Sequence, residues 1–207
     1  MKRHFRQLLL TAAFFSSLPL AAASEQGTTS HKLALLTWKA QAGRVMFVVD
    51  AFPASLERTS GYIPLRIAVA VTDKGVPVKI TPDSFTLIDA QGVATPVASY
   101  SSLMKGYDRR TADQTLFRQY PMQLNNDFRS LRLVGSNFFP PPGGGTRIPA
   151  VELGAFTWFR DVLYFPMPAG GIDGTMTLRL SAPGLEAPLD VIFSIKDSAS
   201  PAGHGAQ

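Results

Sequence analysis

Apolar and polar residues alternate with period two along much of this chain. In the longest run Ile63, Leu65, Ile67, Val69 and Val71 share one face, while Tyr62, Arg66, Ala68, Ala70 and Thr72 share the other. That pattern predicts a strand with one face in a core. It returns at Val45, Phe47 and Val49, at Phe85 and Leu87, at Met176, Leu178 and Leu180, and from Leu189 through Val191 and Phe193 to Ile195. Turn residues separate the runs at Asp73-Lys74-Gly75, Ala90-Gln91-Gly92, Asp173-Gly174 and Pro183-Gly184. With Leu33 to Trp38, Thr95 to Tyr100, Phe128 to Val134 and Asp161 to Phe165 as weaker strands, the expectation is eight or nine strands in an antiparallel sandwich or barrel.

Two stretches break the rhythm. Between Ser101 and Gln123, Asp108 to Asp113 leads into Leu116, Phe117 and Tyr120, which predicts a helical insertion near Asp108 to Tyr120 with Asp108 or Thr111 as N-cap and Pro121 as its end. Ser136-Asn137-Phe138-Phe139 runs into three prolines and three glycines at 140–145; prolines donate nothing to a ladder, so this predicts a Pro/Gly-rich loop. Insertions on a rigid β scaffold often hold function, which makes these two segments the first candidates.

At the N-terminus Lys2, Arg3 and Arg6 precede an apolar run from Leu8 to Leu20 and then Ala21-Ala22-Ala23, the pattern of a cleaved signal peptide over residues 1–23. The expected organisation is that signal, a flexible flank at 24–31, a β-sandwich domain at 32–196 and a disordered tail at 197–207. Cleavage would lower the formal charge from +5 to +2, which removes the case for nucleic acid as a partner. Cysteine is absent, so disulfides, thiolate metal sites, a cysteine nucleophile and lipidation at an N-terminal Cys are all excluded. The expected location is the periplasm or the medium, with no transmembrane or lipid anchor.

The run Gly61-Tyr62-Ile63-Pro64-Leu65-Arg66-Ile67, with Ser84 to Asp89 and Gly92, with Ser136 to Pro140 and with Asp161 to Pro166, resembles an uncharacterised family of exported bacterial proteins. The strand, Lys-Gly turn and Phe-x-Leu-x-Asp-x-x-Gly portion is also similar to immunoglobulin-like domains of bacterial envelope proteins. The resemblance implies an all-β, antiparallel immunoglobulin-like sandwich in that compartment. It implies no catalytic residues, and fold alone does not assign function.

Reactive chemistry is sparse. Beyond the signal only His31 and His204 remain, both in the flanks, and no Gly-x-Ser-x-Gly turn occurs, which argues against a serine triad or a histidine zinc site. Asp89, Glu152, Asp161 and Asp190 are available as paired carboxylates for a hydrolase of envelope sugar or peptide. The plainer reading has Asp89 capping its turn and Asp161 held by backbone, Arg160 or Arg147. Calcium needs clustered acids that the chain lacks, and neither cofactor nor metal is expected.

Lys105, Arg109, Arg110, Arg118, Arg129 and Arg132 make the middle of the chain basic, a candidate anion or lipid-headgroup surface centred on Arg109 and Arg110. Phe138 and Phe139 stand next to a loop that must lie on the surface, and Trp158 belongs to an aromatic group with Phe156, Phe159, Tyr164 and Phe165. These features, with the missing catalytic groups, lead to the expectation of a non-catalytic exported binding module that engages another envelope protein by a sheet edge or by the Phe138-Phe139 loop.

Overall fold

A computed structural model describes residues 29–56 and 61–195; the expected signal at 1–23 and tail at 197–207 lie outside the described residues. The strands are β1 (His31–Ala34), β2 (Thr37–Ala42), β3 (Val45–Asp50), β4 (Tyr62–Val71), β5 (Val78–Ile80), β6 (Phe85–Ile88), β7 (Ala94–Pro96), β8 (Arg132–Leu133), β9 (Val151–Leu153), β10 (Thr157–Pro166), β11 (Thr175–Leu180) and β12 (Leu189–Ser194). The helices are α1 (Phe52–Leu56), α2 (Tyr100–Gly106) and α3 (Arg110–Gln119). The chain is mostly sheet, as its alternation predicts.

A six-stranded sheet runs β1-β2-β3-β4-β10-β8, a four-stranded sheet runs β12-β11-β6-β7, and β5 pairs with β9. Every strand pair is antiparallel except β8 with β10. One core lies between the two larger sheets. Phe47 of β3 meets Phe85 of β6 with ring centroids 5.8 Å apart, and Trp38 of β2 meets Phe193 of β12 at the same separation. Ile63, Leu65, Ile67, Val69 and Val71 all point into this core and are fully or almost fully buried.

The second face of β4 departs from expectation, because it is covered too. Ala68 and Ala70 are buried with Met46, Val48 and Phe128, against which Met122, Leu124, Leu131 and Trp158 pack. The chain from α3 to β8 crosses the outer face of the six-stranded sheet, and small alanines let it approach closely. Arg66, on that same face, is buried with Asp50. Alternation marked a half-buried strand; the inserted segment made it a doubly buried one.

Local chemistry explains the helices. Ser99 caps α2, its hydroxyl accepting the Ser102 N–H at 3.1 Å. Neither Asp108 nor Thr111 caps α3: Arg109 occupies the N-cap position, with no side-chain cap bond. Pro121 follows α3 and cannot continue it. The short β5 and β9, α1 and α2 were not foreseen, and the expected 128–134 strand contracts to two residues. The ordered body also starts before residue 32: His31 opens β1, and the Ser30 hydroxyl accepts the Ile192 N–H of β12 at 2.8 Å.

Candidate functional site

The Phe138-Phe139 expectation fails first. Phe138 is 0% exposed and packs edge-on against Phe159 at 5.7 Å, and Phe139 is 5% exposed against Tyr164 at 5.8 Å. The loop after them lies outside while both rings fold back into the core, since apolar area gains more from burial than the turn loses. Arg110 is also structural. It is buried, its Nε donates to the Tyr107 carbonyl at 3.2 Å and its Nη1 to the Pro140 carbonyl at 2.9 Å, so it ties the start of α3 to the proline loop. Beside it Tyr107 donates to Asp113 at 2.9 Å, and burial next to Asp113 pushes the Tyr164 hydroxyl well above the usual phenol range. Arg109 is exposed on the helix start, whereas Trp158 is half-buried against Phe128 at 5.2 Å with its Nε1 donating to the Leu131 carbonyl at 3.2 Å. Arg110 thus lies beside the Phe138-Phe139 segment as a structural tie, Arg109 faces solvent and Trp158 packs elsewhere, so the five candidates present no shared binding surface.

A different group does converge. The cover over the outer sheet face is incomplete between α3 and the 136–137 segment, and leaves a cleft of about 510 Å³ over the middle of β10. Arg66 from β4, Arg118 from α3 and Arg160 from β10 line it, together with Asp161. Gln114, Ser136 and Asn137 add uncharged polar groups, and Phe117, Pro121, Met122 and Val162 supply apolar wall.

The geometry of β10 explains the gap. Residues 132–134 run parallel to it, with Arg132 N–H donating to the Phe156 carbonyl at 2.9 Å and Val134 N–H to the Trp158 carbonyl at 2.7 Å. The chain then lifts away, and side chains take over the ladder. Ser136 Oγ donates to the Arg160 carbonyl at 2.5 Å, and Phe138 N–H donates to Asp161 Oδ2 at 3.0 Å. Asp161 Oδ1 accepts the Val162 N–H at 2.8 Å. Burial pushes this carboxyl up to about 6, against the opposing pull of the Val162 and Phe138 N–H groups and of Ser136. As the sequence suggested, Asp161 is bonded to backbone.

Arg66 forms the floor. Its Nη2 pairs with the Asp50 carboxylate and its Nη1 donates to the Tyr120 carbonyl, an orphan acceptor at the end of α3. Its guanidinium carbon lies 5.5 Å from the Phe117 ring centroid. Burial lifts the Asp50 carboxyl above its ordinary value, with Arg66 and the Phe52 N–H opposing. Arg66 Nε is buried without a hydrogen-bond partner. Arg118 and Arg160 are exposed at the cleft, and neither forms an ion pair with an acid among the described residues. Two uncompensated cations and one paired cation thus share the cleft with a single carboxyl.

The other acids lie elsewhere. Asp89 Oδ1 accepts the Gln91 and Val93 N–H groups at 2.9 and 2.8 Å and closes its turn, as expected. Asp190 holds Arg179 through two bonds of 2.8 and 2.7 Å, and Glu152 sits opposite Lys79 in the β5–β9 pair. No group of three or more His, Cys, Asp or Glu suited to a metal occurs among the described residues. No helix among them is long and apolar enough to cross a membrane.

A second groove of about 540 Å³ lies between the β2–β3 turn and residues 184–189. Only one of its cations is neutralised: Lys39 pairs with Asp127 at 2.9 Å, whereas Arg44 Nη2 donates to the Val76 and Gly184 carbonyls and its Nη1 is buried without a hydrogen-bond partner. The sequence offers Arg118 in the basic middle of the chain, Arg160 only as a neighbour of Asp161 and Arg66 only as a strand residue. It does not bring them together, because residues 66, 118 and 160 are distant in the chain and meet only once β4 pairs with β10 under α3. Compared with protein-family models, with curated proteins and with solved structures, the chain matches none.

Proposed function

We propose that this protein is a non-catalytic, exported binding domain of the bacterial envelope whose ligand carries negative charge and sits in the cleft between α3 and β10. The observation behind this reading is the convergence of Arg66, Arg118 and Arg160 from three elements, two of them with no acid partner among the described residues. Guanidinium groups in a partly desolvated cleft favour carboxylate or phosphate, which they bind through paired N–H donors. Among the described residues Asp161 is the only carboxyl lining the cleft, which favours binding over two-carboxylate hydrolysis. Export rests on the basic-apolar-small pattern of residues 1–23. The scaffold resembles an immunoglobulin-like sandwich in having two largely antiparallel sheets over one core, although its β1-β2-β3-β4 meander differs from the strand order of constant-type domains.

Thermal unfolding at matched ionic strength tests the reading, with sodium phosphate, succinate and octanoate against chloride. At least one anion should raise the midpoint of the wild type and of Arg109→Ala but not of Arg118→Ala/Arg160→Ala. Equal shifts in all three proteins would defeat it.

A further inference from the structure

We propose that the ligand of the cleft is an amphiphilic anion: one carboxylate, phosphate or sulfonate-like head joined to an apolar body of roughly ten to fifteen heavy atoms, by the volume and wall chemistry of the site. This deepens the reading above and rests on it. The volume of about 510 Å³ would hold about seventeen heavy atoms at a water's share of about 30 Å³ each, whereas inorganic phosphate or acetate has no more than five. A bare anion would leave most of the cleft to solvent. The remaining wall is suited to something else, because Phe117, Pro121 and Met122 present apolar surface on the α3 side and Val162 on the sheet side.

The arginines set where the head sits. Arg118 and Arg160 are exposed, so the head lies toward the mouth between α3 and β10. Arg66 is 7% exposed, with Nη1 and Nη2 already occupied and Nε without a partner. A head that reaches inward gains that donor, which otherwise stays buried and unsatisfied. The Phe117 ring stacks near Arg66 and faces the body of the ligand from one side, and Met122 adapts its unbranched side chain to the shape it meets. Two sources of this chemistry are available to an exported protein, a free fatty-acid-like anion and the headgroup region of an anionic lipid.

Isothermal titration in low salt separates these ideas. Decanesulfonate and decanoate, used below their micellar concentrations, should bind at least tenfold more tightly than methanesulfonate, acetate or phosphate. Arg118→Ala/Arg160→Ala should lower decanesulfonate affinity at least tenfold, and Phe117→Ser should lower decanesulfonate affinity by a larger factor than methanesulfonate affinity; circular dichroism and urea midpoints establish that each variant is folded. If short and long anions bind alike and the arginine variant still weakens both, the amphiphile proposal is overturned while the anion site stands. If the arginine variant changes nothing, both fall. Sedimentation with phosphatidylglycerol vesicles adds the source: protein carried down by vesicles supports the lipid, and protein left in solution that still binds decanoate supports the free anion.

Discussion

The two faces of the six-stranded sheet are built from the same strands and do opposite things. The inner face presents Phe47, Val49, Leu65, Ile67 and Phe159 to the four-stranded sheet in one continuous apolar core. The outer face presents Met46, Val48, Ala68 and Ala70 to a cover made by α3 and the 120–131 segment, with Arg160 beside Ala68 and Arg66 beyond it. Regular sheet-on-sheet packing buries these inner side chains almost completely. A helix laid over a sheet as an insertion does not match it everywhere, and the mismatch over Arg160 to Val162 is the cleft. On the proposed reading, stability belongs mainly to the first face and recognition to the second.

Substitutions should separate these roles. Phe47→Ala, deep in the inner core, should cost about 3–5 kcal/mol in urea unfolding, the usual penalty for a large buried ring. A change below about 1 kcal/mol would show that the inner face is not the tightly packed one. Asp50→Ala should cost about 3 kcal/mol because it strands the buried Arg66 charge, while Asp50→Leu/Arg66→Met should recover most of that loss. The double variant should also lose anion binding despite its recovered stability, which sets the role of the outer face apart from mere folding.

Asp161 gives a pH test with a defined sign. Its carboxyl is raised from 3.8 to about 6 by burial, so the folded state holds a proton that the unfolded state has released across that window. Stability should therefore fall as pH rises from about 4 to about 6, by about 1–3 kcal/mol, and Asp161→Asn should flatten the profile in calorimetric unfolding. The groups sharing the cleft are Arg66, Arg118 and Arg160, all cationic throughout, with Asp50 held by Arg66. Anion affinity should weaken over the same rise as Asp161 becomes charged, and a sulfonate probe, ionised throughout, isolates that effect. A profile unchanged by Asp161→Asn would contradict the assignment. The smallest stability effect belongs to Arg118→Ala/Arg160→Ala: both side chains are exposed and unpaired among the described residues, so the urea midpoint should shift by no more than about 0.5 kcal/mol.

Period-two alternation was enough to read β3, β4, β6, β11 and β12, since each buries one side against the opposite sheet. It could not show that Ala68 and Ala70 are buried as well, because small residues look alike on a solvated face and under a closely packed cover. Phe138 and Phe139 misled for a related reason: a Pro/Gly loop must be exposed, but the residues before it need not be. The inserted helix was legible from Leu116, Phe117 and Pro121, whereas α2 was hidden: the expected strand from Thr95 to Tyr100 ends at Pro96, and Tyr100 opens the helix instead. The candidate site was the least legible part. Arg66, Arg118, Arg160 and Asp161 come together through strand register and the path of the insertion, neither of which local sequence encodes.

The most direct test of the outer face as the binding face is a residue-resolved titration of the protein with decanesulfonate, followed by backbone amide chemical shifts. The account predicts the largest changes at Gln114 to Arg118 and at Arg160 to Val162, with little at Phe47 or Phe85 in the inner core. Changes centred instead on Gly184 to Leu189, or on the exposed Arg109, with none along β10, would contradict it.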